Sequence, residues 1–296
     1  MEIQWYPGHM AKTRRMIAEQ LKNVDAVCEI LDARIPRSSR NPDVDGLTAG
    51  KPRLVVLNRA DQADREATRV WGAHFREKGW AVLETDAKSG AGTGAFSAAV
   101  RGLLADKLRA YAGKGQTGRV VRVMVLGIPN VGKSTFINKI AGRKTAKAED
   151  RPGVTRSKQW VPIDKGLELL DTPGILWPKL DDRDVGLHLA FTGAVKDEIL
   201  DTETLGCHLM AYLAERYPEA LKTGYKLQAL PEREGEENDV AFGWRLLEAA
   251  GRRRGFLISG GEVDTERMAK ILLDEFRSGK LGRFTLEAPD LEKRSE

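Results

Sequence analysis

The chain has 296 residues, enough to bury a substantial core, and is better read as two domains than one. Charged residues make up 31%, apolar residues 41%, and the formal net charge is +5, which describes a soluble, moderately basic protein. No apolar run approaches the ~20 residues of a membrane span, and residues 1–7 lack the apolar core of a signal peptide, so the cytoplasm or an organelle interior is expected and a membrane is not. Cys28 and Cys207 have no partners at metal-ligand spacing, so two reduced, partly buried thiols are expected rather than a disulfide or a zinc site. A charge of +5 suits nucleic acid but is carried by many soluble enzymes, so its distribution says more.

The chain opens with Trp5-Tyr6-Pro7-Gly8-His9-Met10, then places Lys12, Arg14 and Arg15 on a helix running to about Asn23. Taken alone, His9 reads as a capping or packing residue rather than a catalyst. Strand-like runs follow at 26–31, 53–57 and 81–84, separated by segments long enough for crossover helices, and that alternation predicts a parallel sheet. Open α/β sheets bind ligands beyond the carboxyl ends of their strands. The second run ends in Asn58-Arg59-Ala60-Asp61. An Asp there accepts from both N1–H and the exocyclic amine of guanine, a donor pair that adenine lacks, and an unpaired carboxylate is the cost of the wrong base. The third run ends in Thr85-Asp86-Ala87-Lys88, whose backbone is placed to touch the O6 of the same base. Each motif alone is a common loop; their placement after successive strands gives the base-reading sense.

A helix over 94–110 and a flexible linker over 112–118 lead to the apolar run 120–126 and then Gly127-Ile128-Pro129-Asn130-Val131-Gly132-Lys133-Ser134, followed by a helix-like segment over 135–141. Strand, glycine loop and helix together are the context that a phosphate-binding loop requires. The amides of Asn130, Val131, Gly132 and Thr135 are expected to face phosphates, with Lys133 on the β and γ oxygens and the Ser134 hydroxyl on Mg²⁺. Downstream, Thr155 lies in a polar, poorly periodic stretch where it can supply a second Mg²⁺ ligand. The run 167–170 then ends in Asp171-Thr172-Pro173-Gly174, where Asp171 would reach Mg²⁺ through water and the Gly174 N–H the γ-phosphate.

From about Asp184 the pattern turns helical. Leu205, Leu209, Tyr212 and Leu213, and again Met268, Ile271, Leu272 and Phe276, fall at helix spacing and predict the core of a small bundle. Residues 231–239 form an acidic loop that reads as a mobile connector. Arg252, Arg253, Arg254, Lys270, Arg277, Lys280 and Arg283 suggest a cationic face for RNA phosphate, diluted by Asp264, Glu266, Asp274 and Glu275.

The phosphate loop, Thr155, the DTPG, NRAD and DAK segments resemble the five nucleotide motifs of translation-factor-class GTPases, with the two base-reading motifs moved ahead of the phosphate loop. With the opening WYPGHM and the C-terminal extension, the chain resembles the circularly permuted GTPases of the ribosome biogenesis GTPase A (RbgA/YlqF) family over nearly its full length. That resemblance implies several roles. Arg59 stands where the family has a Lys along the guanine face, Asp61 keeps the discriminating position, and Asp86 replaces a residue that is usually small. Asn130 matches the Asn that accompanies potassium dependence. Ile175 replaces the Gln that orients the attacking water in many GTPases, and the family's candidate for that task is His9. The catalytic set is then His9, Lys133 and Gly174, acting on in-line attack of water at the γ-phosphate.

The expected fold is α/β: a P-loop GTPase domain, circularly permuted and Ras-like, with a mainly parallel sheet over 1–183, followed by a small all-α domain over 184–296 that the resemblance assigns to RNA and ribosome binding. GTP or GDP, Mg²⁺ and K⁺ are the expected ligands, and the large ribosomal subunit precursor with its rRNA the expected partner, for a monomer that does not bind DNA. An RNA-binding module holding GTP as a slow structural ligand, and a P-loop kinase or ATPase, are the competing readings.

Overall fold

The computed structural model describes residues 15–116, 118–142, 159–174, 182–195 and 201–289. His9, Thr155 and Ile175 lie outside the described residues, so the roles expected of them are not located. The described chain forms two compact units, one of residues 1–183 with 285–296, the other of residues 184–284. The sequence expectation assigned everything after 183 to the second unit, whereas residues 285–289 pack with the first. These residues carry no helical or strand periodicity that would announce a partner.

The first unit begins with α1 (residues 15–20) and a 3₁₀ turn, Leu21–Asn23. Then follow β1 (Ala26–Asp32), α2 (Asp43–Leu47), β2 (Arg53–Asn58), α3 (Arg65–Glu77), β3 (Ala81–Glu84), α4 (Phe96–Leu103), α5 (Ala105–Gly113), β4 (Val121–Leu126), α6 (Lys133–Ile140), β5 (Gln159–Asp164) and β6 (Leu167–Asp171). The single helix expected over 94–110 is divided at Leu104, whose φ of −102° and ψ of 13° leave the helical region. Among the described residues the sheet has six strands in the order β3-β2-β1-β4-β6-β5. All neighbours are parallel except β5, which pairs antiparallel with β6 and shifts register between Pro162 and Asp164. Proline cannot donate to a ladder and is tolerated on such an edge strand.

Every residue of β1 and β2 is buried, as expected of central parallel strands covered on both faces. Val27 packs with Ile17, Leu21, Val44, Met124 and Leu170, while Leu31, Val55 and Leu57 pack with Trp71 and Phe75 of α3. Burial of such side chains stabilises by roughly 1.5–3 kcal/mol each. The result is a rigid block whose strand ends carry the motifs.

Among the described residues the second unit is helical apart from an antiparallel bridge between Leu257 and Val263: α7 (Arg183–Phe191, whose first residue belongs to the first unit), α8 (Thr202–Arg216), α9 (Pro218–Tyr225), α10 (Asp239–Arg254) and α11 (Thr265–Ser278). Asp201, Asn238 and Asp264 cap α8, α10 and α11 through side-chain oxygens that accept from first-turn amides. Leu205, Leu209, Leu213, Met268, Leu272 and Phe276 are buried, while Tyr212 and Ile271 are half-buried. At Gly243 a Cβ would lie 2.0 Å from the Cys207 carbonyl oxygen, so α10 approaches α8 more closely than any side chain would allow. Both thiols are buried, and burial raises the Cys207 thiol to about 12.

Two features of this unit differ from the sequence expectation. The acidic loop is laced to its neighbours: Arg233 pairs with Glu215 and Asp239, and Arg245 with Glu234 and Glu237. Much of the cationic set is also engaged internally. Arg252 pairs with Glu248, Arg254 with the buried Glu275, Lys270 with Glu266, and Arg277 donates to the carbonyls of Ala190 and Phe191.

Candidate nucleotide site

The sheet register sets the site. β1 and β2 end together at the pair Asp32 and Asn58, and β4 and β6 bring Val125 beside Asp171. The loop after β4 turns through Asn130, at φ +59°, and Gly132, at φ +93°, into the first turn of α6. Gly132 is required twice, because its backbone is left-handed and because a Cβ there would lie 2.4 Å from the Asn58 amide nitrogen. Lys133 opens α6 and is buried, with Ser134 and Thr135 half-buried behind it. The start of α6 thus offers helix-terminal amides together with a lysine, the combination that suits phosphate.

Lys133 donates its ammonium to the carboxylate of Asp171 and to the carbonyl of Thr172. Burial pulls the Lys133 ammonium below its ordinary range, and Asp171 opposes that pull. Thr172 is fully buried and donates its hydroxyl to Val125 O at 2.7 Å, fixing the DTPG segment to the end of β4. Two residues later, a Cβ on Gly174 would lie 2.9 Å from Pro129 N, so the backbone expected to meet a γ-phosphate lies directly against the phosphate loop.

Asn58 joins the two halves of the site. Its Nδ2 donates to Val131 O at 2.8 Å, and its Oδ1 accepts from Ala87 N at 3.0 Å and Thr85 Oγ1 at 3.1 Å. The residue is buried, so these bonds are worth more than exposed ones and leaving them unmade is costly. Expected as a nucleotide contact, Asn58 here holds phosphate loop and base-reading loops in one frame. Asp61 stands exposed beyond it. Although the residue is exposed as a whole, partial burial of its carboxyl, and then the nearby charge of Asp86, hold that carboxyl above its ordinary range.

The DAK loop differs in detail from its expected part. The Ala87 amide donates to Asn58, and the Lys88 amide donates to its neighbour Asp86 at 2.8 Å. Asp86 also accepts from Ser89 N at 3.2 Å. Burial raises the Asp86 carboxyl, but the hydrogen bonds from Ser89 and Lys88 outweigh it and leave it below the ordinary range. Asp86 therefore shapes the loop, which accounts for an acid where a small residue is usual.

A charged group behind the base loop was not singled out in the sequence. Arg34, fully buried, donates Nε to Asp32 Oδ1 at 2.9 Å and Nη2 to Asp32 Oδ2 at 2.7 Å. Burial raises the Asp32 carboxyl and the Arg34 charge more than reverses it. Asp32 also lies 3.7 Å from Arg59 Nε, while Arg59 Nη2 donates to Asn130 O at 3.0 Å. The guanidinium expected to stack along guanine thus links Asp32 to the phosphate loop. Asp-Ala-Arg at the end of a largely apolar strand was the available signal.

The residues fit a nucleoside triphosphate with a hard cation. Ser134 supplies a hydroxyl and Asp171 a buried carboxylate, both oxygen donors of the kind Mg²⁺ prefers.

The family model described as 50S ribosome-binding GTPase matches residues 122–220. The ribosome biogenesis GTPase A of Bacillus cereus is 47% identical over 290 residues, covering 98% of this chain and 95% of that protein. The GNP-bound YlqF of T. maritima superposes with a TM-score of 0.60 at 28% identity, covering 94% of this chain and 99% of that one. The GDP-bound TM YlqF gives 0.61 at 29% identity, covering 93% and 99%. A permuted motif order, a P-loop lysine at the start of α6, and identity of this extent along almost the whole chain agree: this GTPase belongs to the ribosome biogenesis GTPase A family.

Proposed function

We propose that the chain is a GTP-hydrolysing assembly factor that binds precursors of the large ribosomal subunit in its GTP state and leaves on hydrolysis. The observation that supports this reading is the Asn58 bridge, which ties the phosphate loop at Val131 to the DAK loop at Ala87. Asp61 accepts the two guanine donors, and the amides from Asn130 to Thr135 receive the phosphates. Lys133 turns its ammonium from Asp171 toward the β and γ oxygens, where charge grows as the γ-phosphoryl is transferred. Gly174 donates its amide to the γ-phosphate, and His9 orients the water that Ile175 cannot hold. Ser134, Thr155 and Asp171 would hold Mg²⁺, which would supply charge neutralisation at the phosphate oxygens. Potassium at the Asn130 side chain is part of the same proposal. The helical unit contacts rRNA through those cations not taken by its own acids, such as Arg253 and Arg283, and the particle accelerates turnover.

Sedimentation with ribosomal fractions tests the reading. Binding to the large subunit or its precursor with a non-hydrolysable GTP analogue, and loss of binding with GDP, is the expected result. Equal binding in both nucleotides, together with no acceleration of hydrolysis by the particles, would overturn it.

A further inference from the structure

The chain returns to the nucleotide unit after the helical unit, and it returns to one place. Thr285, Leu286 and Glu287 are buried at 5%, 2% and 7% exposure. Thr285 Oγ1 donates to Ala33 O at 3.2 Å and accepts from Asp64 N at 3.2 Å. Leu286 N donates to Arg34 O at 2.8 Å. The Glu287 carboxylate accepts from Arg37 N at 2.7 Å and Ser38 N at 3.1 Å, and from the Ser38 hydroxyl, while its carbonyl accepts from Trp71 Nε1 at 3.1 Å. Seven groups of the nucleotide unit are thus tied to three consecutive residues from the far end of the chain.

Two of the groups tied, at Ala33 and Asp64, lie on either side of the base-reading loop. Ala33 N donates to Asn58 O at 2.9 Å, so one end of the loop is fixed to the residue that Thr285 holds. At its other end Asp64, which Thr285 also holds, caps α3 by accepting from Ala67 N. Asp61 lies exposed between these two anchors. Arg34, held through its carbonyl by Leu286, carries the Asp32 carboxylate that faces Arg59.

We infer that residues 285–287 are a positioning strap for the guanine-reading loop, with Thr285 as its central positioning residue. The inference rests on the guanine assignment of Asp61. The strap acts through the loop it holds; it removes conformational freedom from the loop that must hold a carboxylate against two donors at once. Loosening the loop therefore costs most for a base offering both donors and less for hypoxanthine, which lacks the exocyclic amine.

The test compares GDP, inosine diphosphate and ADP binding by calorimetry in the full chain. Thr285→Val keeps shape and removes both hydrogen bonds. It is expected to weaken GDP binding roughly fivefold to tenfold and to lower the preference for GDP over inosine diphosphate, while Thr285→Ser restores both. Undiminished GDP affinity in Thr285→Val, or an equal loss for GDP and inosine diphosphate, would overturn the strap. If Thr285→Val fails to fold, Glu287→Gln is measured against the same two nucleotides, with the same outcomes. A wild-type chain that binds ADP as tightly as GDP would instead overturn the guanine assignment, and that result is visible before any variant is made.

Discussion

The amide nitrogen of Asn58 donates to the carbonyl of Val131, 73 residues further along the chain, at 2.8 Å. Its oxygen holds Ala87 and Thr85 in the same buried setting. Asn58→Ala strands a carbonyl, an amide and a hydroxyl together. An expected loss of about 2–4 kcal/mol of stability follows from unmade buried hydrogen bonds, read by urea denaturation, with at least tenfold weaker GDP binding by calorimetry. Wild-type stability and affinity in this variant would show that the bridge is dispensable.

The guanine contact proposed for Asp61 requires the ionised carboxylate. Burial first, and Asp86 second, raise its carboxyl above the ordinary range. Lowering the pH through that raised value lets a proton compete with guanine, so GDP affinity should fall at a higher pH than an ordinary Asp would dictate. Asp86→Asn removes one of the two causes while keeping an acceptor for the Lys88 amide. It should move the acid limb of a GDP binding curve to lower pH, and an unmoved limb would mean that Asp61 does not govern it. Asp61→Asn presents a donor to donors and should cost roughly a hundredfold or more in GDP affinity.

Lys133 and Asp171 are a buried pair with side-chain exposures of 6% and 3%. Lys133→Met should abolish measurable hydrolysis. It also leaves Asp171 without its cation, at an expected cost of about 3 kcal/mol. Because the folded Lys133 ammonium lies below its ordinary 10.5, the unfolded chain binds more protons between that lowered value and 10.5. Wild-type stability should therefore gain from rising pH across this window, and Lys133→Met should lack that gain. Parallel denaturation curves from neutral to alkaline pH decide it.

His9→Ala should slow single-turnover GTP hydrolysis by about a hundredfold or more, the usual loss when a positioned acid–base group is removed. GTP affinity should change little. Equal rates in the two proteins would end the assignment of His9 as the group that orients water.

The legible part of the sequence was the part written in periodicity and local motif. The runs 26–31, 53–57, 81–84 and 167–170 fall within β1, β2, β3 and β6, because each is mostly apolar and is interrupted by only one charged residue. β5 was not read: Gln159–Asp164 includes a proline and polar residues that suit an antiparallel edge but give no clear alternation. Asp61, Lys133 and Asp171 could be named from spacing. The structural uses of Asn58, Arg59 and Asp86 could not, since each depends on a carbonyl or amide brought close only by folding. Arg34 shows the same limit from the other side, a fully buried cation whose burial makes sense only beside the Asp32 carboxylate.

The return of residues 285–289 to the nucleotide unit makes the helical unit an insertion rather than a tail. Ending the chain after residue 183 would remove the helices and, with them, the three residues that close the loops around Ala33 and Asp64. A shortened protein of that kind would be deficient in two places at once, and its weak nucleotide binding could not be credited to the lost helices. The clean deletion joins residue 183 to residue 285 through a short linker, excising the helical unit as a cassette and leaving the last segment where it belongs.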